Sequence, residues 1–301
     1  MILAIRRRRS QVIDLLIVPY DSAQKAVRMG AGPLALLADG LAEQLERNGF
    51  PSTVSHLEPA GVFHAEIATA FDLHDVVRGE VVTSVGKDHL AIVLAGNCNT
   101  GVIGCLAAHD AHDVGLFWFD AHSDAETPET STSGFFDGMG FAVALHECWT
   151  PKLAELGWGG LSGRRAALVG AREISEAARS TLDRHGVAIV SPQRARSEPA
   201  EDALADAVAQ LGSAGVKRVH VHVDLDVLDR DLVGPANSYA LPDGLTVAQL
   251  LEQLRVILRT FPLASASVAS YDPTYDSSGS ISAAGLEVVT VLANGSSRAN
   301  S

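Results

Sequence analysis

Residues Gly115 to Gly134 read GLFWFDAHSDAETPETSTSG, a short apolar run that ends abruptly in three side chains able to hold a metal ion, Asp120, His122 and Asp124. The run has the length and composition of a buried strand. If the chain stays extended past Phe119, residues at i, i+2 and i+4 project to one side, so two carboxylates and an imidazole arrive together. Two carboxylates held that close repel each other unless a cation lies between them. A solvated loop is the alternative that this stretch alone leaves open.

Further along, KRVHVHVDLDVLDRD at 217–231 alternates Val219, Val221, Val223 and Leu225 with His220, His222, Asp224 and Asp226. Parallel strands are covered on both faces, so carboxylates at the C-terminal end of one are costly unless they bind something. Two such strand ends converging point to a metal site rather than to two loops. His220 and His222 share the side of the two aspartates, but a buried histidine hydrogen-bonded to backbone is the commoner outcome, and neither is taken as a ligand. Trp118, Trp149 and Trp158 read as packing.

Working outward, apolar runs at 12–20, 89–96, 113–119, 164–171, 186–190, 217–224 and 263–270, with a shorter one at 53–57, read as strands. Helical patterns fall between them, at 30–47, 65–88, 97–108, near 136–147, 173–185, 200–212 and 246–260, and a last one at 282–293. This β-then-α alternation predicts a mostly parallel sheet with helices on both faces. No internal repeat or biased linker divides the chain, so residues 1–295 are expected to form a single domain and 296–301 a disordered tail.

The DAHSD and VDLDVLD motifs resemble the signature pair of the ureohydrolase family, which comprises arginases, agmatinases, formiminoglutamases and their relatives. VRMGAGPLALLADGLAEQL at 27–45 is similar to the family's Gly-Pro opening, and TPETSTSG at 127–134 to the arginase loop after the first ligand cluster. The resemblance spans most of the chain. It implies a three-layer α/β/α fold with eight strands, a binuclear Mn2+ centre and hydrolysis of a guanidino or amidino carbon–nitrogen bond. Asp120 and Asp224 then match carboxylates that bridge two ions. Asp124 matches a ligand of the first ion, and His122 and Asp226 match ligands of the second. Asp229 either supports the ligands or stabilises a turn.

Departures from the family pattern fall at informative places. A histidine expected as the remaining ligand of the first ion is absent from AGNCNT at 95–100, where Cys98, or Asn99 in a register shifted by one, takes its place. Thiolate is soft and Mn2+ hard, so the first site is expected to be weak, or open to Zn2+. Asp137 stands at the family's proton-shuttling histidine, where it could relay a proton or bind a cationic group. Ser270 stands at the glutamate that holds the amidine, leaving Asp272, Asp137 or Glu126 as candidate charged partners. Ser133 matches a serine at the far end of the substrate, and Phe135 replaces a polar contact there. Products would be urea, or hydroxyurea from an N-hydroxyarginine-like substrate. A single-Zn2+ amidohydrolase related to deacetylases and a catalytically silent family member are the alternatives.

Composition narrows the partners. Of 301 residues 47% are hydrophobic, which provides for a sizeable core, and the net charge of −13 excludes a polyanion such as nucleic acid or an anionic membrane as the natural partner. Small solutes fit better. Three cysteines without framework spacing suit a reducing cytoplasm. Arg6 to Arg9 read as a solvated end rather than an export signal, since Asp14 interrupts the next apolar run and that run lacks a small-residue cleavage site. The resemblance implies a homo-trimer or hexamer.

Overall fold

The computed structural model describes residues 11–61 and 65–296. Eight segments rich in Val, Ile, Leu and Ala pair into one sheet: β1 Ile13–Val18, β2 Ser52–His56, β3 Leu90–Ala95, β4 Val114–Phe119, β5 Ala166–Val169, β6 Ala188–Val190, β7 Arg218–Asp224 and β8 Leu263–Ala269. Every pairing is parallel, in the order β2-β1-β3-β8-β7-β4-β5-β6. The expected eight-stranded sheet is therefore present.

Helices cover both faces, because alternate residues of each central strand are apolar in both directions. On one face Ile13, Ile92, Phe117 and Val221 pack under α1 (Gly32–Ala38), α2 (Leu41–Arg47), α9 (Ala200–Ser213), α10 (Val247–Thr260) and α11 (Ser280–Ser296). On the other, Leu16, Val93, Trp118 and Leu168 pack under α3 (Glu66–Gly86), α4 (Cys98–Ala107), α5 (Gly140–Ala144), α6 (Thr150–Glu155) and α7 (Glu176–His185). A further helix, α8, covers Pro192–Ser197.

The sheet order positions the site. β3 and β4 are consecutive in sequence but stand apart, with β8 and β7 between them. Crevices that take ligands form beyond the C-terminal ends of strands at such a reversal. β4 and β7 are neighbours with Phe119 opposite Val223, so Asp120 and Asp224 leave adjacent strands at the same level. Gly96 and Gly32 let the surrounding backbone close in: a Cβ on Gly96 would lie 2.2 Å from the Tyr20 carbonyl oxygen, and one on Gly32 2.1 Å from that of Tyr271.

Several helices differ from the sequence pattern. The stretch 30–47 is a 3₁₀ turn at Arg28–Ala31 followed by α1 and α2, broken where Gly40 takes φ +91°. Around 136–147 glycines at 134, 138 and 140 shorten the helix to a 3₁₀ turn at Asp137–Met139 and the brief α5. Helices α6 and α8 are absent from the expected set although each carries a proline in its first turn, and Ser191 caps α8 by accepting from Arg194 N. Helix α11 starts at Ser280 and runs to Ser296, past the expected end. Ser296, the first residue of the expected tail, lies in this helix, and 297–301 and the Arg6–Arg9 run lie outside the described residues.

Candidate metal centre

Helix α4 begins directly beyond β3, and its first turn needs an acceptor for its free N–H groups. No local side chain caps it. Asp137 does so from the far side of the loop. Its Oδ2 accepts from Asn97 Nδ2 and Cys98 N, both at 3.0 Å, and its Oδ1 accepts from Asn99 N at 2.9 Å and Asn99 Nδ2 at 2.8 Å. Burial pushes this carboxyl up to about 7 even though all four donors favour its charged form. Gly101 and Gly104 allow the helix to sit close to its neighbours: a Cβ on Gly104 would lie 2.5 Å from the His74 carbonyl oxygen.

The start of α4 turns Cys98 and Asn99 to opposite sides. Cys98 Sγ donates to Asp224 Oδ2 at 2.9 Å and lies 3.2 Å from Ser270 Oγ. Asn99 points the other way, to Asp137 and, through Oδ1, to His74 Nε2 at 3.0 Å. Cys98 therefore faces the aspartates.

Two groups of potential ligand atoms lie within mutual reach of 4.8 Å, Cys98 with Asp120 and Asp124, and Asp120 with His122 and Asp226. Asp120 belongs to both. Asp224 adjoins the first through the Cys98 thiol, and Asp226 Oδ2 stands 3.3 Å from His122 Nδ1. The path into the cluster is not a continued strand. Asp124 adopts φ +45°, the left-handed region, so a turn and not period-2 alternation brings its carboxylate back to the site. Ser270, at the end of β8, is also left-handed, at φ +66°.

The electrostatics lack positive charge. Burial, then the neighbouring carboxylates, push Asp124 and Asp224 well above the usual range and raise Asp120 as well. Burial and Asp224 push the Cys98 thiol up. Burial disfavours charge on Asp226 and His122 too, but their mutual attraction outweighs it, lowering the carboxyl and raising the imidazole. One imidazole thus faces four carboxylates, three of them buried. The half-buried Arg172 attracts these carboxylates through space but bonds none of them, its two terminal nitrogens going to the carbonyls of Gly170, Asp226, Val227, Leu228 and Leu241. A buried, oxygen-rich donor set short of positive charge fits divalent cations.

A cavity of about 530 Å³ opens onto this floor, lined by His122, Asp124, Asp224, Asp226 and Ser270 below and by Glu126, Ser133, Phe135, Glu173 and Tyr239 nearer the mouth. Glu126, Ser133, Phe135, Asp137 and Ser270 all line this cavity. Asp272 does not. Its buried carboxylate is turned into its own loop, accepting from Thr274 N at 3.0 Å and Thr274 Oγ1 at 2.7 Å, which removes it from the candidates for binding a cationic head. Asp229 is a turn stabiliser, accepting from Asp231 N, Leu232 N and Gly244 N.

Sequence reasoning missed four contributors. Trp118 packs as expected but also donates from Nε1 to Asp120 Oδ2 at 2.8 Å, a contact implied by its place two residues before Asp120 on one strand face. Asn237 donates to the Ser270 carbonyl at 2.8 Å and approaches Asp226 Oδ2 at 3.5 Å, while Tyr239 and Arg172 come from loops without a local signal. His220 and His222 are buried and bonded, to the Ser265 and Ser267 hydroxyls of β8 rather than to backbone.

A family model described as the arginase family matches residues 12–293. An arginase of Staphylococcus aureus (strain MSSA476) is 24% identical over 286 residues, covering 89% of this chain and 92% of the relative. An N(omega)-hydroxy-L-arginine amidinohydrolase of Streptomyces lavendulae is 31% identical over 176 residues, 58% of each chain. The crystal structure of arginase from Bacillus cereus superposes with a TM-score of 0.82 at 20% identity, covering 94% of this chain and 98% of that one.

Proposed function

We propose, from the premise that this chain belongs to the arginase family of hydrolases acting on guanidino and amidino bonds, that it releases urea or hydroxyurea from an arginine-like or N-hydroxyarginine-like substrate. The observation that carries this is Asp120, shared between two ligand groups at adjacent strand ends. Cys98, Asp120, Asp124 and Asp224 would hold one ion, and Asp120, His122, Asp224 and Asp226 the other. Oxygen-rich sets with one imidazole suit Mn2+, while the Cys98 thiolate makes the first site weak for Mn2+ or open to Zn2+. Such a pair of ions would supply an acidified water and a polarised substrate carbon.

The chain's own groups would do the rest. Asp124, at the cavity floor, orients the attacking water and passes a proton to the departing nitrogen. Asp137, its oxygens engaged by four donors, fixes the turn that aims Cys98. Ser270 offers the substrate head a hydroxyl and no charge, which favours a less basic head such as an N-hydroxyguanidine over a plain guanidinium. The Streptomyces lavendulae relative is named for such a substrate.

Metal counting with a product screen tests this. Protein stripped of metal and titrated with Mn2+ should approach two ions per chain and release urea or hydroxyurea from guanidino compounds. One Zn2+ per chain with cleavage of acyl-lysines would establish the amidohydrolase alternative, and silence on both substrate classes with metal bound a non-catalytic role. Assembly as a cytoplasmic homo-trimer or hexamer belongs to the same proposal. A monomer by light scattering at micromolar concentration would refute that part.

A further inference from the structure

Resting on the hydrolase reading for what the site does, we propose that a buried ladder of side chains, His109, Ser265, His220, Ser267 and His222, is a positioning device. It fixes the register of β7 against β8 and the seat of α4 above them, and so sets where Cys98, Asp224 and Ser270 meet. His109 Nε2 lies 3.1 Å from Ser265 Oγ, which lies 2.9 Å from His220 Nδ1. His220 Nε2 lies 3.0 Å from Ser267 Oγ, which lies 2.7 Å from His222 Nδ1. Apart from the half-buried His109, every member is fully buried, and none lines the cavity. His222 in turn stands against Trp118, ring centroids 4.5 Å apart, and Trp118 Nε1 donates to Asp120.

The hydrophobic pattern of β8 leaves its register open. The strand reads LASASVA, with small residues on both faces, and its pairing with β7 is irregular at the start: Leu263 stands opposite Val219 and Ser265 opposite His220, so Ala264 is unmatched. A strand without a distinct apolar face is prone to slip. The ladder removes that freedom. His220 commits both ring nitrogens to serines two residues apart. A slip by one residue would bring Ala264, Ala266 and Val268 to the histidines and leave the bonded nitrogens of both rings buried and unpaired, which is costly. A slip by two would keep one serine at His220 and lose the other.

Register decides the site because Ala269 stands opposite Asp224 and Ser270 follows directly. Each residue of slip would move Ser270 by about 3.3 Å. Its hydroxyl lies 3.2 Å from Cys98 Sγ, and that thiol donates to Asp224 Oδ2 at 2.9 Å, so a shift of that size would break the meeting point. The same ladder seats α4. Gly101 lies over Ser267, where a Cβ would come within 3.1 Å of the Ser267 Cβ, and the Cys105 thiol reaches the Ser265 hydroxyl further along the helix. His109 closes the far end. The helix that carries Cys98 is thus held to β8 along its length.

Three variants test this by measurements that need no turnover. Ser267→Ala leaves one nitrogen of His220 and one of His222 unpaired. It should lower the urea midpoint, weaken Mn2+ binding about tenfold or more and, in metal-free protein, speed alkylation of Cys98 several-fold while Cys148 is unchanged. Replacing the ladder whole, with His220→Leu, His222→Leu, Ser265→Ala and Ser267→Ala combined, removes both sides of each bond and should return the urea midpoint toward the native value. Mn2+ affinity and Cys98 reactivity should stay those of Ser267→Ala, because nothing then specifies the register. If the combined variant regains native Mn2+ affinity and slow alkylation, the ladder only satisfies buried polar groups and the proposal is overturned. Native values of both in Ser267→Ala overturn it as well. Should neither protein fold, His109→Ala, at the half-buried end, decides: faster alkylation of Cys98 upholds the positioning and an unchanged rate overturns it. Weakened Mn2+ binding in the variants of a native protein that releases no urea upholds the positioning and overturns the hydrolase, whereas urea release with variants that bind as the native protein does the reverse.

Discussion

Asp137→Asn separates positioning of Cys98 from proton relay. The aspartate accepts four hydrogen bonds, two on each oxygen, all from Asn97, Cys98 and Asn99. An amide of nearly the same shape keeps an oxygen for one pair of donors but turns an NH2 group toward the other pair. Two bonds are lost and their donors are left buried and unpaired. Buried bonds to a charged acceptor contribute about 1.5–3 kcal/mol each, so the loss alone is about 3–6 kcal/mol. Burial of the charge opposes this, since it pushes the carboxyl up to about 7, and removing the charge returns part of that cost. The two effects oppose each other, and the unpaired donors are expected to decide the sign, read as a lower urea midpoint with the slope unchanged. The first turn of α4 should loosen and Cys98 move off Asp224, so that metal affinity at the first site falls about tenfold or more. A variant that binds metal as the native protein does, yet loses turnover, would refute the positioning role and restore Asp137 as a proton carrier.

Replacing Asp120 with Ala should abolish hydrolysis and most metal uptake, because both ligand groups share it; full metal content by elemental analysis would rule out a binuclear centre. Cys98→His should raise Mn2+ occupancy toward two per chain, and in the native protein metal should shield Cys98 from alkylation; equal reactivity with and without metal would mark the cysteine as packing. Acid should destabilise the fold through its buried histidines. His74 and His109 are driven by burial from 6.5 down to about 4, so between those values the unfolded chain binds protons that the folded chain refuses. Stability present above pH 6.5 is then lost toward pH 4 at about 1.4 kcal/mol per unit for each histidine. A urea midpoint that stays flat from pH 7 to pH 4.5 would contradict this.

The strands were legible because each is an apolar run bounded by polar turns, and a strand buried on both faces has no other composition available. Asp120 and Asp224 were legible for the same reason, since each directly follows or ends such a run, and a charge there stands out. What the pattern could not show was how the chain turns after the strand. Extended alternation predicted Asp124 on the side of Asp120, and the carboxylate does arrive there, but through a left-handed residue and not a continued strand.

The same limit explains Asp272 and Tyr239. Asp272 is two residues past Ser270, which an extended chain would put on the same face, yet Ser270 is left-handed, and Asp272 turns inward to bond Thr274. Tyr239 follows no strand at all. It reaches the mouth because Asn237 anchors its loop twice, receiving Tyr239 N on Oδ1 at 2.8 Å and donating to the Ser270 carbonyl at 2.8 Å. Tertiary hydrogen bonds of this kind have no period in the sequence, so the ligand floor could be read from the strands while the walls that choose the substrate could not. Variation between relatives should therefore concentrate in loops 131–138 and 236–240, with the Asp120, Asp224 and Asp226 floor held constant by the ions that it must neutralise.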